Sequence, residues 1–197
     1  KPRWLFLKMH TNAGLIGLGE PIVEGRAKTC AEAVAEFEPY LIGKDPRRVA
    51  HHWQAMYRHA FYRGGPVLTS ALSGVEQAMW DIAGQSYGLP ICHLLGGPTR
   101  DRVRLYKGGV RPDTIQDYIK RGFTAFKVGV TGTRRAPRIV ENKAFIDKAA
   151  ETFKALRDAA GDEIDIGIDF HGKISPQTAK LLIKALEPYQ PMFIEEP

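Results

Sequence analysis

Apolar and polar residues alternate with period two in two short stretches of the second half of the chain, and both stretches stop on acids. In 164–172 (IDIGIDFHG), Ile164, Ile166 and Ile168 alternate with Asp165, Gly167 and Asp169. Strand side chains point to opposite faces in turn. Asp169 and His171 therefore share one face if the extended backbone runs on, and the isoleucines take the other. In 192–197 (MFIEEP), Phe193 and Glu195 share a face, while Ile194 and Glu196 point away. Between them lies a helical pattern from Gln177 to Leu186, with Ala179, Leu182, Ile183 and Leu186 on one stripe. Strand, helix and strand over this span predict one βαβ crossover, whose parallel strands end at a common rim. The Asp169 and Glu195 carboxylates meet there.

The alternation runs back to about residue 101. Val103–Tyr106 predicts a strand, Thr114–Arg121 a helix and Thr124–Val130 (TAFKVGV) a second strand. A long helix follows over Asn142–Ala159, with Phe145, Ala149, Phe153 and Leu156 on its stripe. Four strands alternating with helices predict a parallel sheet covered by helices. Upstream the rhythm differs. Trp4–His10 and Leu15–Gly19 read as a hairpin around the turn signal Thr11-Asn12-Ala13-Gly14. Thr29–Ile42 reads as one helix, stopped by Gly43 and Pro46, and Pro46 opens a second helix to about Ala60. After the loop Phe61–Pro66 (FYRGGP), a third helix covers about Thr69–Gln85, with Leu72, Val75, Met79 and Ile82 in register. Gly96-Gly97-Pro98 reads as a boundary between a domain at 1–100 and one at 101–197.

Composition narrows the partners more than the fold. The 197 residues leave room for one large domain or two modest ones. A formal charge of +6 permits an anionic ligand. Lys and Arg are scattered among acids, with no basic run interleaved with aromatics, which argues against nucleic acid. No apolar run reaches the roughly 18 residues of a membrane span, and no signal-peptide pattern is visible. Cys30 and Cys92 form neither metal spacing nor a disulfide framework, which points to a reduced, cytoplasmic setting. The chain opens without Met and closes on a strand, while a closed (β/α)8 barrel takes about 250 residues. Either a small open sheet or a truncated piece of a longer protein is expected.

Parallel α/β folds place their chemistry at the C-terminal ends of strands. The second strand offers Lys127, with Gly129 on the same face; the third offers Asp169 and His171; the fourth offers Glu195. Asp and Glu on neighbouring strand ends suit Mg²⁺, a hard ion that takes oxygen ligands. His171 is a poor Mg²⁺ ligand and better suited to move a proton. Two structural readings stand beside this one: a buried ion pair of Asp169 with Lys127, and a helix capped by Glu195. The pair His51-His52 invites a metal reading, but adjacent helical positions diverge by about 100°, so a packing or solvated role is expected. The glycine pairs at Gly64, Gly96 and Gly108 lack the lysine and spacing of a phosphate loop and read as turns.

Several motifs together carry a family resemblance: WLFLKMHTNAGLIGLGEP, FYRGGP, VEQAMWDIAGQSYGLP, LLGG, the strand ending in Lys127, IDFHG and FIEEP. The chain resembles the mandelate racemase and muconate-lactonizing branch of the enolase superfamily. Within it, the acid-sugar dehydratases, and among those the galactonate dehydratases, look most similar. The resemblance implies an α+β capping domain over a (β/α)7β barrel, of which the first four strands are present. It implies Mg²⁺ held by an Asp and two Glu, with Asp169 and Glu195 matching the first two and the third beyond Pro197. It implies abstraction of the proton α to a carboxylate, enediolate stabilisation by the metal, and His171 as the acid that helps the 3-hydroxyl leave. The base would be a His–Asp pair on later strands. Lys127 matches the catalytic strand-end lysine, but Gly129 stands where racemases carry a second lysine, which weighs against two-base racemization. Tyr62 and Arg63 match a capping loop that contacts substrate. A small-molecule sugar acid, D-galactonate or a related aldonate, and a homo-oligomer are the implied partners. Epimerization or cycloisomerization, and an inactive fragment, are the alternatives.

Overall fold

The computed structural model describes residues 4–130 and 140–197. The chain divides between Asp101 and Arg102 into two units. The first opens on a hairpin of β1 (Leu7–His10) and β2 (Ile16–Gly19), with Leu7 opposite Gly19 and His10 opposite Ile16. Helices α1 (Ala27–Ala35), α2 (Glu38–Leu41), α3 (Val49–His59), α4 (Pro66–Tyr87) and α5 (Ile91–Leu94) follow. Leu72, Val75, Met79 and Ile82 of α4 are buried, at the spacing the sequence predicts. Smallness lets α4 lie directly on β2. A methyl group at Gly17 would stand 2.0 Å from the Ala78 carbonyl oxygen, and one at Gly19 would stand 1.9 Å from that of Gly74. A polar row on α4, four residues apart at each step, closes the edge of β2. Gln77 accepts the Glu20 N–H (2.8 Å), Asp81 accepts the Leu18 N–H (2.9 Å), and Gln85 donates to the Ile16 carbonyl (2.8 Å).

The helix expected over Thr29–Ile42 is broken into α1 and α2. Pro39 has no N–H for the Ala35 carbonyl and its ring crowds that group, so the helix stops at Ala35. Helix α3 starts at Val49 rather than Pro46, because Asp45 turns the chain first. Its carboxylate accepts the Arg47 N–H, and its carbonyl accepts the Arg48 N–H. The same carbonyl accepts from Nε2 of His52 (2.9 Å), whose Nδ1 lies 2.9 Å from the Tyr40 hydroxyl. A carbonyl can only accept, so Nε2 carries the proton and Tyr40 donates to Nδ1. His52, 2% exposed, is a satisfied core residue, and its neighbour His51 is exposed.

The second unit is a parallel sheet in the order β3 (Lys107–Gly108), β4 (Ala125–Gly129), β5 (Asp165–Asp169), β6 (Ile194–Glu195). Helices α6 (Ile115–Lys120), α7 (Lys143–Ala160) and α8 (Pro176–Leu186) alternate with the strands. One face of the sheet, with Phe126, Val128, Ile166 and Ile168, packs on Ile115, Phe153, Leu156, Leu182 and Leu186. Asn142 caps α7 by accepting the Phe145 N–H, as Ser175 caps α8 through the Thr178 N–H. Two local expectations fail. Val103–Tyr106 is not a strand: the Arg104 side chain donates to the Thr124 carbonyl (2.8 Å), so a guanidinium holds the segment in place of a ladder. On α8, Thr178 is buried and Ile183 is exposed, so the stripe runs Thr178, Ala179, Leu182, Leu186. No helix among the described residues is long and apolar enough to cross a membrane.

Candidate active site

In-register parallel strands set equivalent residues side by side. On the face away from the helices, Gly108, Lys127 and Gly167 form one row, and Gly129, Asp169 and Glu195 form the next, at the strand ends. Lysine is long enough to reach the next row. Lys127 Nζ lies 3.1 Å from Asp169 Oδ2 and 2.7 Å from Glu195 Oε2. It also stands 5.6 Å from the centre of the Tyr106 ring, at cation–π range. Tyr106 is itself in contact with Phe193, whose ring fills the place where a Gly167 side chain would be. The lysine stem therefore rises past aromatic surface, and its charge is delivered between two carboxylates. Asp169 is only 3% exposed, Lys127 21% and Glu195 40%.

The electrostatics follow from these contacts. The hydrogen bond to Glu195, with that to Asp169, raises the Lys127 pKa above its ordinary value against the opposing effect of burial. Burial pushes the Asp169 carboxyl up, but hydrogen bonds from His171 and Lys127 outweigh it and hold the group below the usual carboxylate range. The ion pair of Lys127 with Asp169, expected as one structural reading, is present, and Glu195 joins it.

The extended backbone does not run on to His171. The chain turns after Phe170, and His171 takes the left-handed conformation at φ 57°. The imidazole nevertheless returns to the aspartate, because the turn is built on that carboxylate. Asp169 Oδ1 accepts the His171 backbone N–H (2.7 Å), and Oδ2 lies 2.6 Å from His171 Nδ1. A carboxylate so bonded only accepts, which assigns the proton to Nδ1 and makes Nε2, across the ring, the atom that can meet a ligand. The ends of β5 and β6 are tied by the Gly172 N–H to the Glu196 carbonyl (3.0 Å).

Two carboxylates thus converge on one positively charged atom, and an imidazole is oriented by one of them. The anionic oxygen donors suit a hard cation, and the lysine ammonium shows that both reach a single positive centre. Among the described residues no group of three or more metal-ligating side chains is assembled. The open hollow beside Lys127, Asp169 and His171, about 960 Å³, is lined also by Gly108, Arg111 and Gly129. Tyr62 and Arg63 belong to the first unit, where they line a hollow of about 220 Å³ with Phe37, Met56 and Leu72. Sequence reasoning paired Lys127 with Asp169 but missed its contact with Glu195 and the aromatic floor of Tyr106 and Phe193. Residue parity was the available signal: Tyr106, Lys127, Phe193 and Glu195 all fall on the face opposite the isoleucines.

Residues 1–96 match the family model of the mandelate racemase / muconate lactonizing enzyme N-terminal domain, and residues 112–197 match that of the enolase C-terminal domain-like family. The chain belongs to the mandelate racemase/muconate lactonizing branch of the enolase superfamily. In enolase-superfamily terms, its architecture is a capping domain followed by part of a barrel domain. A candidate dehydratase from Mesorhizobium loti is 30% identical, with a TM-score of 0.88, over 100% of this chain and 56% of that one. An enolase from Pantoea ananatis, solved with D-gluconate and Mg, is 31% identical, with a TM-score of 0.84, over 98% of this chain and 56% of that one. A candidate galactarate dehydratase from Agrobacterium radiobacter, solved with Na and L-malate, is 29% identical, with a TM-score of 0.85, over 98% and 51%. The chain spans just over half the length of these structures.

Proposed function

We propose that the intact protein containing this chain is a Mg²⁺-dependent acid-sugar dehydratase that removes water from an aldonate, D-galactonate or a close relative, to give a 2-keto-3-deoxy acid. The observation that carries this reading is the convergence of the Asp169 and Glu195 carboxylates on one cation, with His171 hydrogen-bonded to the first. The dehydratase descriptions of the Mesorhizobium and Agrobacterium proteins, and the gluconate and Mg in the Pantoea structure, support it.

Asp169 and Glu195 would hold the metal through oxygen atoms. A bound Mg²⁺ supplies positive charge against the charge that builds on the substrate carboxylate as its α-proton leaves. Lys127, whose ammonium lies between the same two carboxylates, adds a second positive charge at that place. His171, as the imidazolium with its Nδ1–H on Asp169, presents Nε2–H to the 3-hydroxyl and gives that proton to the leaving oxygen as the C3–O bond breaks, so that water leaves and the neutral Nδ1–H ring remains. The resulting enol returns to the 2-keto form by taking a proton at C3. General acid help of this kind is worth about 10²–10⁴-fold. Arg63 and Tyr62 would bind hydroxyl or carboxylate groups of the acid. By resemblance, the third carboxylate ligand and the base lie on later strands of the barrel, and the protein is a homo-oligomer.

The test is turnover of an aldonate panel by the intact protein with Mg²⁺, with and without chelator, followed by 2-keto-3-deoxy acid formation. Chelator-sensitive product is expected, and a loss of about 10²-fold or more in His171→Asn. Asparagine tolerates the left-handed backbone at position 171, so the turn on Asp169 survives. Full activity in that variant would remove His171 from the mechanism.

A further inference from the structure

The short loop that carries His171 is held at both ends. Residues 171 and 172 both take the left-handed conformation, at φ 57° and 56°. Glycine does so freely; a residue with a side chain stays there only where its surroundings over-determine it. Upstream, Asp169 Oδ1 accepts the His171 N–H, and the Glu196 carbonyl accepts that of Gly172. The downstream end is held from a distant part of the chain. Glu141, 34 residues before Ser175, accepts the Ser175 N–H at 2.9 Å (Oε2) and 3.1 Å (Oε1), and the Ser175 hydroxyl donates to the same carboxylate. That hydroxyl also accepts the Thr178 N–H as the cap of α8. Ser175 hydrogen bonds, with those of Thr178, hold the Glu141 carboxyl below its usual range, so it remains an acceptor. Ile174, beside Ser175, is buried in the core of the second unit. Glu141 is placed in turn by its neighbour, because Asn142 caps α7, which packs on α8. Adjacent side chains ahead of α7 thus bind the first turns of two successive helices.

We propose that Glu141 is a positioning residue: by clasping Ser175 it fixes the downstream end of this loop and so holds the His171 imidazole where Nε2 serves the leaving 3-hydroxyl. Glu141 touches no reacting group and acts through the backbone of 171–175. Ser175 follows His171 by only four positions, so slack at one reaches the other. With the clasp open, Asp169 still tethers the ring, but the left-handed backbone at 171 loses one of its restraints. A shift of about 1 Å in a catalytic group costs up to about 10²-fold. The effect is selective. The α-proton goes to a base on later strands, so its removal does not need His171, whereas cleavage of the C3–O bond does. The inference rests on the dehydratase reading of His171.

The test compares Glu141→Ala and Glu141→Gln with Asn142→Ala, which removes the adjacent helix cap and leaves the clasp, in the intact protein with Mg²⁺. Two rates are read on an aldonate that the wild type dehydrates: formation of 2-keto-3-deoxy acid, and incorporation of solvent deuterium at C2 of recovered substrate. Amide hydrogen exchange of the peptide covering 171–175, followed by mass spectrometry, needs no turnover. In Glu141→Ala, kcat for elimination should fall about tenfold or more with KM unchanged, and deuterium incorporated per elimination should rise. Glu141→Gln, whose amide oxygen still accepts from Ser175, should recover most of the loss. The 171–175 peptide should exchange faster in Glu141→Ala and at the wild-type rate in Asn142→Ala. Elimination and deuterium incorporation falling in equal proportion, or unchanged kcat, or unchanged amide exchange in Glu141→Ala, overturns the proposal. So does Asn142→Ala reproducing the same changes, which would make both residues helix caps alone. If the wild type turns over no acid, the dehydratase reading fails, and amide exchange still decides whether Glu141 holds the loop.

Discussion

Replacing Lys127 with methionine should expose what its charge contributes, because methionine keeps a stem to pack on Tyr106 and Phe193. The change leaves two carboxylates facing a place that no longer holds a cation. Breaking a fully buried ion pair costs about 3–5 kcal/mol, whereas exposed pairs are worth about 0–1 kcal/mol. Asp169 is buried at 3% exposure, but Glu195 is 40% exposed and can turn to water, and His171 still bonds Asp169. The expected cost at pH 7 is therefore about 1–3 kcal/mol. Its pH dependence separates charge from packing. The folded pKa of Lys127 is raised, so its contribution is complete below an unfolded value of about 10.4 and is lost as pH rises through the folded value. That of Asp169 is lowered, so its contribution is present above about 3.9 and is lost as pH falls through the folded value. The penalty should hold its plateau between these limits and shrink in acid below them. Urea unfolding followed by far-UV circular dichroism at pH 7 and at acid pH is the assay. Tryptophan fluorescence would not serve, since Trp4, Trp53 and Trp80 all lie in the first unit. Mg²⁺ should also stabilise the variant more than the wild type, through tighter binding to the folded state alone. A penalty below about 0.5 kcal/mol at pH 7, or one of equal size in acid, would refute the electrostatic account.

Other outcomes follow from the packing. Gly17→Ala sets a methyl group against the Ala78 carbonyl, a backbone atom that no rotamer change can move; a loss at the upper end of overpacking, about 3 kcal/mol, is expected in thermal melting read by tryptophan fluorescence, and an unchanged melt would mean that β2 and α4 can separate freely. Ser175→Ala removes the cap of α8 and a partner of Glu141. Stability should fall by about 1 kcal/mol. The Glu141 carboxyl, held below its ordinary range chiefly by the Ser175 and Thr178 hydroxyls, should titrate nearer that range by NMR; an unmoved titration would assign the shift to another group.

Local chemistry was legible wherever one residue type decides an outcome alone. The αL turn after α4 at Gly88 and the Asn142 cap of α7 are of this kind. Pro39 belonged to this class too, since a proline four residues after Ala35 is enough to stop α1. The β/α alternation of the second half was legible because buried strands and amphipathic helices have different periods. The polar row Gln77, Asp81, Gln85 was harder to interpret, because its spacing marks one helix face without saying that a strand edge lies against it.

For the candidate site, the sequence by itself determined which groups stand at the strand ends. Alternation put Lys127, Asp169 and Glu195 on the face opposite the isoleucines, and no other register would bury Ile166 and Ile168. Tertiary structure decided what those groups do to one another. The register of β4, β5 and β6 let one lysine reach both carboxylates. The left-handed turn at His171 replaced strand parity with a hydrogen bond to Asp169, and Phe193 filled the space over Gly167. Parity is a property of one strand and is written in its residues. Convergence and packing are relations among strands, and they exist only once the sheet has formed.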